Sequence, residues 1–142
     1  MNFDFITERI AVGQKIDSAA FAKRLGDCGI THVLNLFAGD SETFWTGNVR
    51  YVPQEDDGSP RTPGQLLAAI EYESECARSG GRLYIHCQWG LGRAPATCYA
   101  ILRAHGMSMG DAVALVCRQR PVCAQWPWRQ YVPSIESALC FS

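Results

Sequence analysis

The sequence predicts a single-domain α/β fold over residues 1–142. Strand-like and helix-like patterns alternate along the chain, which is typical of helices packed on a sheet. Residues 31–37 are nearly all apolar, as expected of a parallel strand buried on both faces. A second short strand, over 83–85, lies between a Gly80-Gly81 turn and a glycine-bearing loop that opens into a helix. The length suffices for one substantial core.

Each helix and strand is predicted from the periodicity of its apolar residues and from the residues that cap or break its ends. Strands are predicted over residues 3–13 (an edge strand), 31–37, 49–53 and 83–85. Helices are predicted over about 19–25, over 65–78, from about 93 to Gly106, from a Ser108 cap through 118, and over about 128–139. Asp17 or Ser18 is placed to cap the first helix, and Gly26 and Gly29 to stop it. Pro53 closes the third strand.

Composition excludes several classes of protein. A net charge of −1 argues against a general nucleic-acid binder. No apolar run approaches the ~18 residues of a membrane span, and no basic-then-apolar signal segment opens the chain. We therefore expect a cytoplasmic monomer that binds neither nucleic acid nor membrane.

The seven cysteines favour neither disulfides nor a metal site. Their number is odd and no C-x-x-C pair occurs, so neither a disulfide scaffold nor a zinc site is expected. One of them, Cys123, is expected in an exposed loop. Five others are expected to be small core residues: Cys28, Cys76, Cys98, Cys117 and Cys140.

The chain is organised around residues 87–93, which we call the cradle loop. A loop between a strand and a helix N-terminus directs several backbone N–H groups at one point, where they can bind an oxyanion. Gly90 and Gly92 allow the tight backbone that this needs. The predicted phosphate-binding residues are Gln88, Trp89, Gly90, Leu91, Gly92 and Arg93.

Cys87 and Arg93 stand at the two ends of the cradle loop. A helix N-terminus and a nearby guanidinium favour the thiolate form of a cysteine, which predicts that Cys87 is a nucleophile. Arg93 can bind two oxygens of a planar, charge-spreading transition state. The alternative is a buried structural cysteine beside a surface arginine.

Residues 54–64 form a loop rich in acids and turn formers before the second helix. It is either a solvated connector or the source of an acid that protonates the leaving oxygen. General acid catalysis is typically worth ~10²–10⁴-fold. Asp56 and Asp57 are the candidates.

The spacing of Cys87 and Arg93, with His86 before them and Gly90 between, resembles the active-site signature of the protein tyrosine phosphatases. Residues 6–13 and 29–36 also look like the small dual-specificity phosphatases. That resemblance implies a central, mostly parallel sheet of about four to five strands flanked by helices. It also implies that no metal or other cofactor takes part.

The resemblance further implies a role for each site residue. Cys87 attacks to form a phosphocysteine, and Asp57, thirty positions before it, is the acid and then the base. Asp56 remains its competitor. His86 supports the cradle by hydrogen bonding. The expected substrate is a phosphotyrosine protein or a small phosphomonoester, with phosphoserine and phosphothreonine open.

The sequence departs from this family in two places. Ala94 stands where a Ser or Thr usually follows the arginine, and that hydroxyl normally helps the thiolate to leave. Trp89 either forms a flat wall beside the phosphate or packs inward. The alternatives to a phosphatase are therefore a catalytically slow phospho-binding module and a sulfur-transfer enzyme.

Overall fold

The computed structural model describes residues 2–37, 44–55, 59–125 and 127–140. Its centre is a five-stranded mixed sheet whose strands run in the spatial order β1-β2-β5-β3-β4. The strands are β1 (Phe3–Phe5), β2 (Ile10–Gly13), β3 (His32–Phe37), β4 (Asn48–Gln54) and β5 (Leu83–His86). All neighbouring pairs are parallel except β1 and β2. The predicted α/β class with a mostly parallel sheet is confirmed.

Five α-helices flank the sheet. They are α1 (Ala19–Asp27), α2 (Pro63–Arg78), α3 (Arg93–Ala104), α4 (Met109–Gln119) and α5 (Val132–Leu139). Two short 3-10 turns, Pro121–Cys123 and Pro127–Tyr131, join the last two. The N-terminal cap of α1 is Ser18, whose hydroxyl accepts from the Phe21 N–H, and Ser108 caps α4 in the same way.

Four predicted boundaries are wrong. Residues 3–13 form a hairpin, because the Thr7 hydroxyl accepts from the Arg9 and Ile10 N–H groups and turns the chain; of its two strands, β1 is at the edge of the sheet and β2 is not. Gly26 does not stop α1, since its exposed position tolerates a helical glycine. Pro53 lies inside β4, which an edge strand allows. The last predicted helix begins only at Val132, after a 3-10 turn.

Both faces of the sheet are covered. Along β5, Tyr84 faces a smaller core with Phe21 and Leu25 of α1, whereas Leu83 and Ile85 belong to the larger core under the other four helices. This burial on two faces explains the nearly continuous apolar runs in the sequence. No helix within the described ranges is long and apolar enough to cross a membrane.

The C-terminal helix is fixed by aromatic and charged contacts. Trp128 and Tyr131 are buried in the larger core, so they pack this end of the chain onto it; Trp126 lies outside the described residues. Arg103 donates from two nitrogens to the two carboxylate oxygens of Glu136, each at 2.8 Å. Those hydrogen bonds hold the pKa of Glu136 below its usual value.

Two cysteine predictions are also wrong. Cys123 is fully buried, and burial raises the pKa of its thiol to about 11. Cys140 is exposed at the end of α5. Cys76 and Cys98 are core residues as predicted.

The strand register brings three strand ends to one edge of the sheet. His86, the last residue of β5, is paired with Gly13 at the end of β2 and with Asn35 near the end of β3. The segments that follow these three strands therefore lie next to one another. Such an edge, at the carboxyl ends of parallel strands, is where α/β proteins bind ligands.

Candidate functional site

Cys87 follows β5 directly and is only 2% exposed. The cradle loop continues to Arg93, the first residue of α3. Within it Gly90 has φ +73°, and a Cβ there would lie 2.5 Å from the carbonyl carbon of Gly13. Only glycine fits this position, because the backbone must be left-handed and must also touch the end of β2.

The carbonyl groups of the cradle loop are held by the rest of the protein, and its amide groups are not. The carbonyl oxygens that accept hydrogen bonds are those of Cys87, Gln88, Trp89, Gly90 and Gly92. Among the described residues, no acceptor takes a hydrogen bond from the N–H groups of residues 88–92. The loop is therefore arranged to offer several N–H donors to an anion.

His86 fixes the first of these carbonyls. Its Nδ1 lies 3.0 Å from the Cys87 carbonyl oxygen, and since that oxygen only accepts, Nδ1 carries the proton. The ring is fully buried and is stacked on Tyr84, with 5.8 Å between the ring centroids. The structure thus places His86 as a donor to the loop backbone.

Arg93 is buried at the site with part of its hydrogen-bonding capacity unused. Its Nη1 donates to the Gln54 carbonyl oxygen at 3.1 Å, and its guanidinium lies 5.8 Å from the centroid of the Phe37 ring. Its Nε is buried without a hydrogen-bond partner among the described residues. A buried donor of this kind is costly unless a ligand satisfies it.

Arg120, at the C-terminal end of α4, was missed by the sequence analysis. Its fully buried guanidinium donates to the carbonyl oxygens of Gly90 (2.7 Å) and Trp89 (3.1 Å). It also binds the side chains of Asn2 and Asp4, at 2.8 and 2.9 Å. One side chain thus fixes two peptide groups of the cradle loop and ties them to the first strand.

Arg61 was also missed. It is buried, and its Nη2 donates to the carbonyl oxygens of Glu55 and Ser59, at 2.6 and 2.9 Å. Its Nη1 donates to Oε1 of Gln54 at 3.0 Å. These carbonyls flank residues 56–58, so both predicted acids, Asp56 and Asp57, lie outside the described residues. Arg61 joins the two flanks of that segment to the strand end that binds Arg93.

The other loop side chains divide by exposure. Trp89 is 63% exposed and Gln88 is exposed, whereas Leu91 is half-buried. Trp89 therefore does not pack inward. Ala94 is fully buried, and the hydroxyl of Thr97 lies 3.4 Å from the Gln54 amide nitrogen.

A family model for the dual specificity phosphatase catalytic domain matches residues 12–130. The chain belongs to this family. Dual specificity protein phosphatase 2 of Mus musculus is 33% identical over 98 residues, which is 67% of this chain and 30% of that protein. Dual specificity protein phosphatase 1 of Homo sapiens is 28% identical over 113 residues, or 75% of this chain and 30% of that one. The match thus spans about a third of these relatives.

Solved structures of dual specificity phosphatases share the fold. Human DUSP28 superimposes with a TM-score of 0.81 at 22% identity, covering 98% of this chain and 99% of the other. DUSP15 gives a TM-score of 0.81 at 18% identity, covering 95% of this chain and 85% of the other.

We predict that Arg120→Met destabilises the protein by about 3 kcal/mol, because it leaves two carbonyls and a carboxylate without their buried partner. It should also weaken the binding of inorganic phosphate at temperatures where the variant is folded. Arg120→Lys keeps the charge but cannot reach all four acceptors, so its loss should be intermediate. Denaturant unfolding and calorimetry measure the two effects. Arg118→Met, an exposed arginine of the same helix, is the control; if it behaves like Arg120→Met, the assignment is wrong.

Proposed function

We propose that this domain hydrolyses phosphomonoesters, as a cysteine-dependent protein phosphatase that forms a phosphocysteine intermediate. The observation that carries the proposal is the cradle loop around Cys87. Most of its carbonyls accept hydrogen bonds from the protein, whereas the N–H groups of residues 88–92 have no acceptor among the described residues and are available to the oxygens of a ligand. The Nε of buried Arg93, which has no partner in the same part of the chain, supports this anion site.

In the first step, Cys87 Sγ attacks phosphorus and the bond from phosphorus to the ester oxygen breaks. The loop amides and Arg93 bind the three non-bridging oxygens, whose charge spreads in the transition state. Asp57 gives its proton to the leaving oxygen, with Asp56 as the competing assignment. In the second step, water attacks phosphorus and gives a proton to the aspartate, which is now a carboxylate and acts as the base. The bond from phosphorus to sulfur breaks, and the sulfur leaves as a thiolate. Two easier displacements thus replace one difficult one.

The preferred substrate under this proposal is a phosphotyrosine protein. Exposed Trp89, next but one to the nucleophile, offers a flat apolar face to an aromatic ring. Phosphoserine, phosphothreonine and small phosphomonoesters remain within the proposal. We also propose that the protein is a cytoplasmic monomer. Its seven cysteines, all within the described ranges, are free thiols, which suits a reducing compartment.

A slow phospho-binding module is the second candidate, and Ala94 is the observation that favours it. The buried position after Arg93 carries no hydroxyl. Thr97 carries the nearest hydroxyl on α3, and that hydroxyl is already within hydrogen-bond distance of the Gln54 side chain. Phosphocysteine breakdown would then lack one donor to its leaving sulfur.

We predict that Cys87→Ser abolishes the hydrolysis of p-nitrophenyl phosphate but keeps phosphate binding, because only the nucleophile is lost. Arg93→Lys should cost about 10²–10³-fold, since lysine cannot bind two oxygens in one plane. Steady-state kinetics and calorimetry check both. Cys140→Ser, which changes an exposed cysteine outside the site, should retain wild-type kinetics. Near wild-type turnover by Cys87→Ser would exclude the mechanism.

We predict that Asp57→Asn slows the hydrolysis of phenyl phosphate by roughly 10²–10⁴-fold and that of an activated aryl phosphate much less. Only the poor leaving group needs a proton. Asp56→Asn is the matched control, with the same change one residue away, and comparing the two substrates measures the dependence. If Asp56→Asn shows the leaving-group effect instead, the acid is Asp56.

We predict a burst of p-nitrophenol in stopped-flow experiments, because the second step is slow without a hydroxyl at Ala94. A hydrogen bond to a charged group is worth ~1.5–3 kcal/mol, or roughly ten- to a hundredfold in rate. Ala94→Ser should therefore turn over faster and lose the burst, whereas Ala94→Gly, which adds no donor, should not. No burst in the wild type, together with no gain in Ala94→Ser, would mean that another donor serves the sulfur.

A further inference from the structure

Lys15 lies against the cradle loop although it is far from that loop in sequence. It lies two residues after Gly13, which is paired with His86 at the end of β5. Its backbone N–H donates to the Gln88 carbonyl oxygen at 2.9 Å. The main chain therefore fixes this lysine beside the proposed phosphate site.

The Lys15 ammonium shares an aromatic neighbour with Arg93. Its Nζ lies 4.8 Å from the centroid of the Phe37 ring, and the Arg93 guanidinium carbon lies 5.8 Å from the same centroid. The two cations cannot be farther apart than the sum of these distances. No carboxylate of the described residues forms an ion pair with Lys15. A second positive charge without a counter-ion in that part of the chain thus stands beside the catalytic arginine.

A small cavity adjoins this charge. Its volume is about 160 Å³, and it is lined by Gln14, Lys15, Asp17, Gln88 and Trp89. Drug-sized ligands usually occupy roughly 300–1,000 Å³, so this space suits one amino-acid side chain. Asp17 is the negative group in the lining, and its carboxylate accepts from the Gln14 amide at 3.4 Å.

The chain's other lysine has a different environment. Lys23 is 76% exposed on α1 and pairs with Asp27 at 2.8 Å, as surface lysines commonly do. It lines another cavity, which contains no residue of the cradle loop. The comparison separates a lysine positioned at the site from an ordinary one and provides a matched control.

We propose that Lys15 is a specificity-determining residue that binds an anionic side chain next to the phosphorylated residue of a peptide substrate. The inference rests on the proposed phosphatase function. In an extended peptide each residue advances the chain by ~3.3–3.6 Å. A side chain one or two positions from the phosphotyrosine can therefore contact Lys15 while the phosphate contacts Arg93. The anion is a carboxylate or a second phosphate, and both bind an ammonium by the same charge-assisted hydrogen bonds.

The test uses the full chain with three phosphotyrosine peptides that differ only beside the phosphotyrosine, where they carry Glu, Gln or phosphoserine. Wild type should prefer the two anionic peptides through a lower KM, and salt should reduce the preference. Lys15→Met should reduce the ratio of kcat/KM for the Glu peptide over the Gln peptide by about fivefold, as expected for about 1 kcal/mol from a partly exposed pair. Lys15→Arg should retain the ratio, and Asp17→Asn should increase it.

The controls make the proposal falsifiable. Lys23→Met should keep the wild-type ratio and the wild-type rate on p-nitrophenyl phosphate. An unchanged ratio in Lys15→Met, or an equal loss in Lys23→Met, would overturn the inference. The two anionic peptides show whether the carboxylate or the phosphate is the stronger partner.

Failure of the proposed phosphatase function would be distinguishable from failure of the proposal for Lys15, because wild type would then not hydrolyse p-nitrophenyl phosphate. Calorimetric binding of the same three peptides to the Cys87→Ser protein, with and without Lys15→Met, would then still test the lysine. Loss of the anionic preference on adding Lys15→Met supports the inference, and its retention refutes it.

Discussion

The site depends on hydrogen bonds to the carbonyl oxygens of one short loop. Between β5 and α3 the backbone has no regular partner of its own, so other segments must fix each peptide group. Arg120 holds two of the carbonyls and His86 a third. Because a peptide group that directs its oxygen outward directs its N–H the other way, these contacts also orient the donors. The anion-binding capacity of the cradle loop is therefore a property of the whole fold.

The same contacts explain why elements far from the loop in sequence belong to the site. Arg120 also donates to the side chains of Asn2 and Asp4, which draws the β1 edge into the same network. The loop and β2 approach closely because Gly90 has no side chain at its contact with the Gly13 backbone. This contact also brings the segment after Gly13, with Lys15, beside the loop.

Local patterns in the sequence predicted the fold class and most elements, and they indicated the candidate site residues. The sequence shows the strand-loop-helix around Cys87 and Arg93 because its signals are local. They are the spacing of the two residues, the glycines between them and the apolar run of the preceding strand. Arg120 and Arg61 could not be found in this way, because each donates to backbone carbonyls, which every residue type supplies. The hairpin at the N-terminus was missed for a related reason: its turn depends on side-chain hydrogen bonds of Thr7 rather than on glycine or proline.

The three buried arginines near the site differ in their hydrogen-bond partners. Arg120 has a carboxylate partner, Asp4, and Arg61 donates to oxygens of the backbone and of Gln54. Arg93 has one carbonyl partner and a buried Nε without any among the described residues. Burying a cation without an anion is unfavourable. An oxyanion in the cradle would satisfy this donor and neutralise this charge. Ligand binding and folding stability are therefore coupled at Arg93.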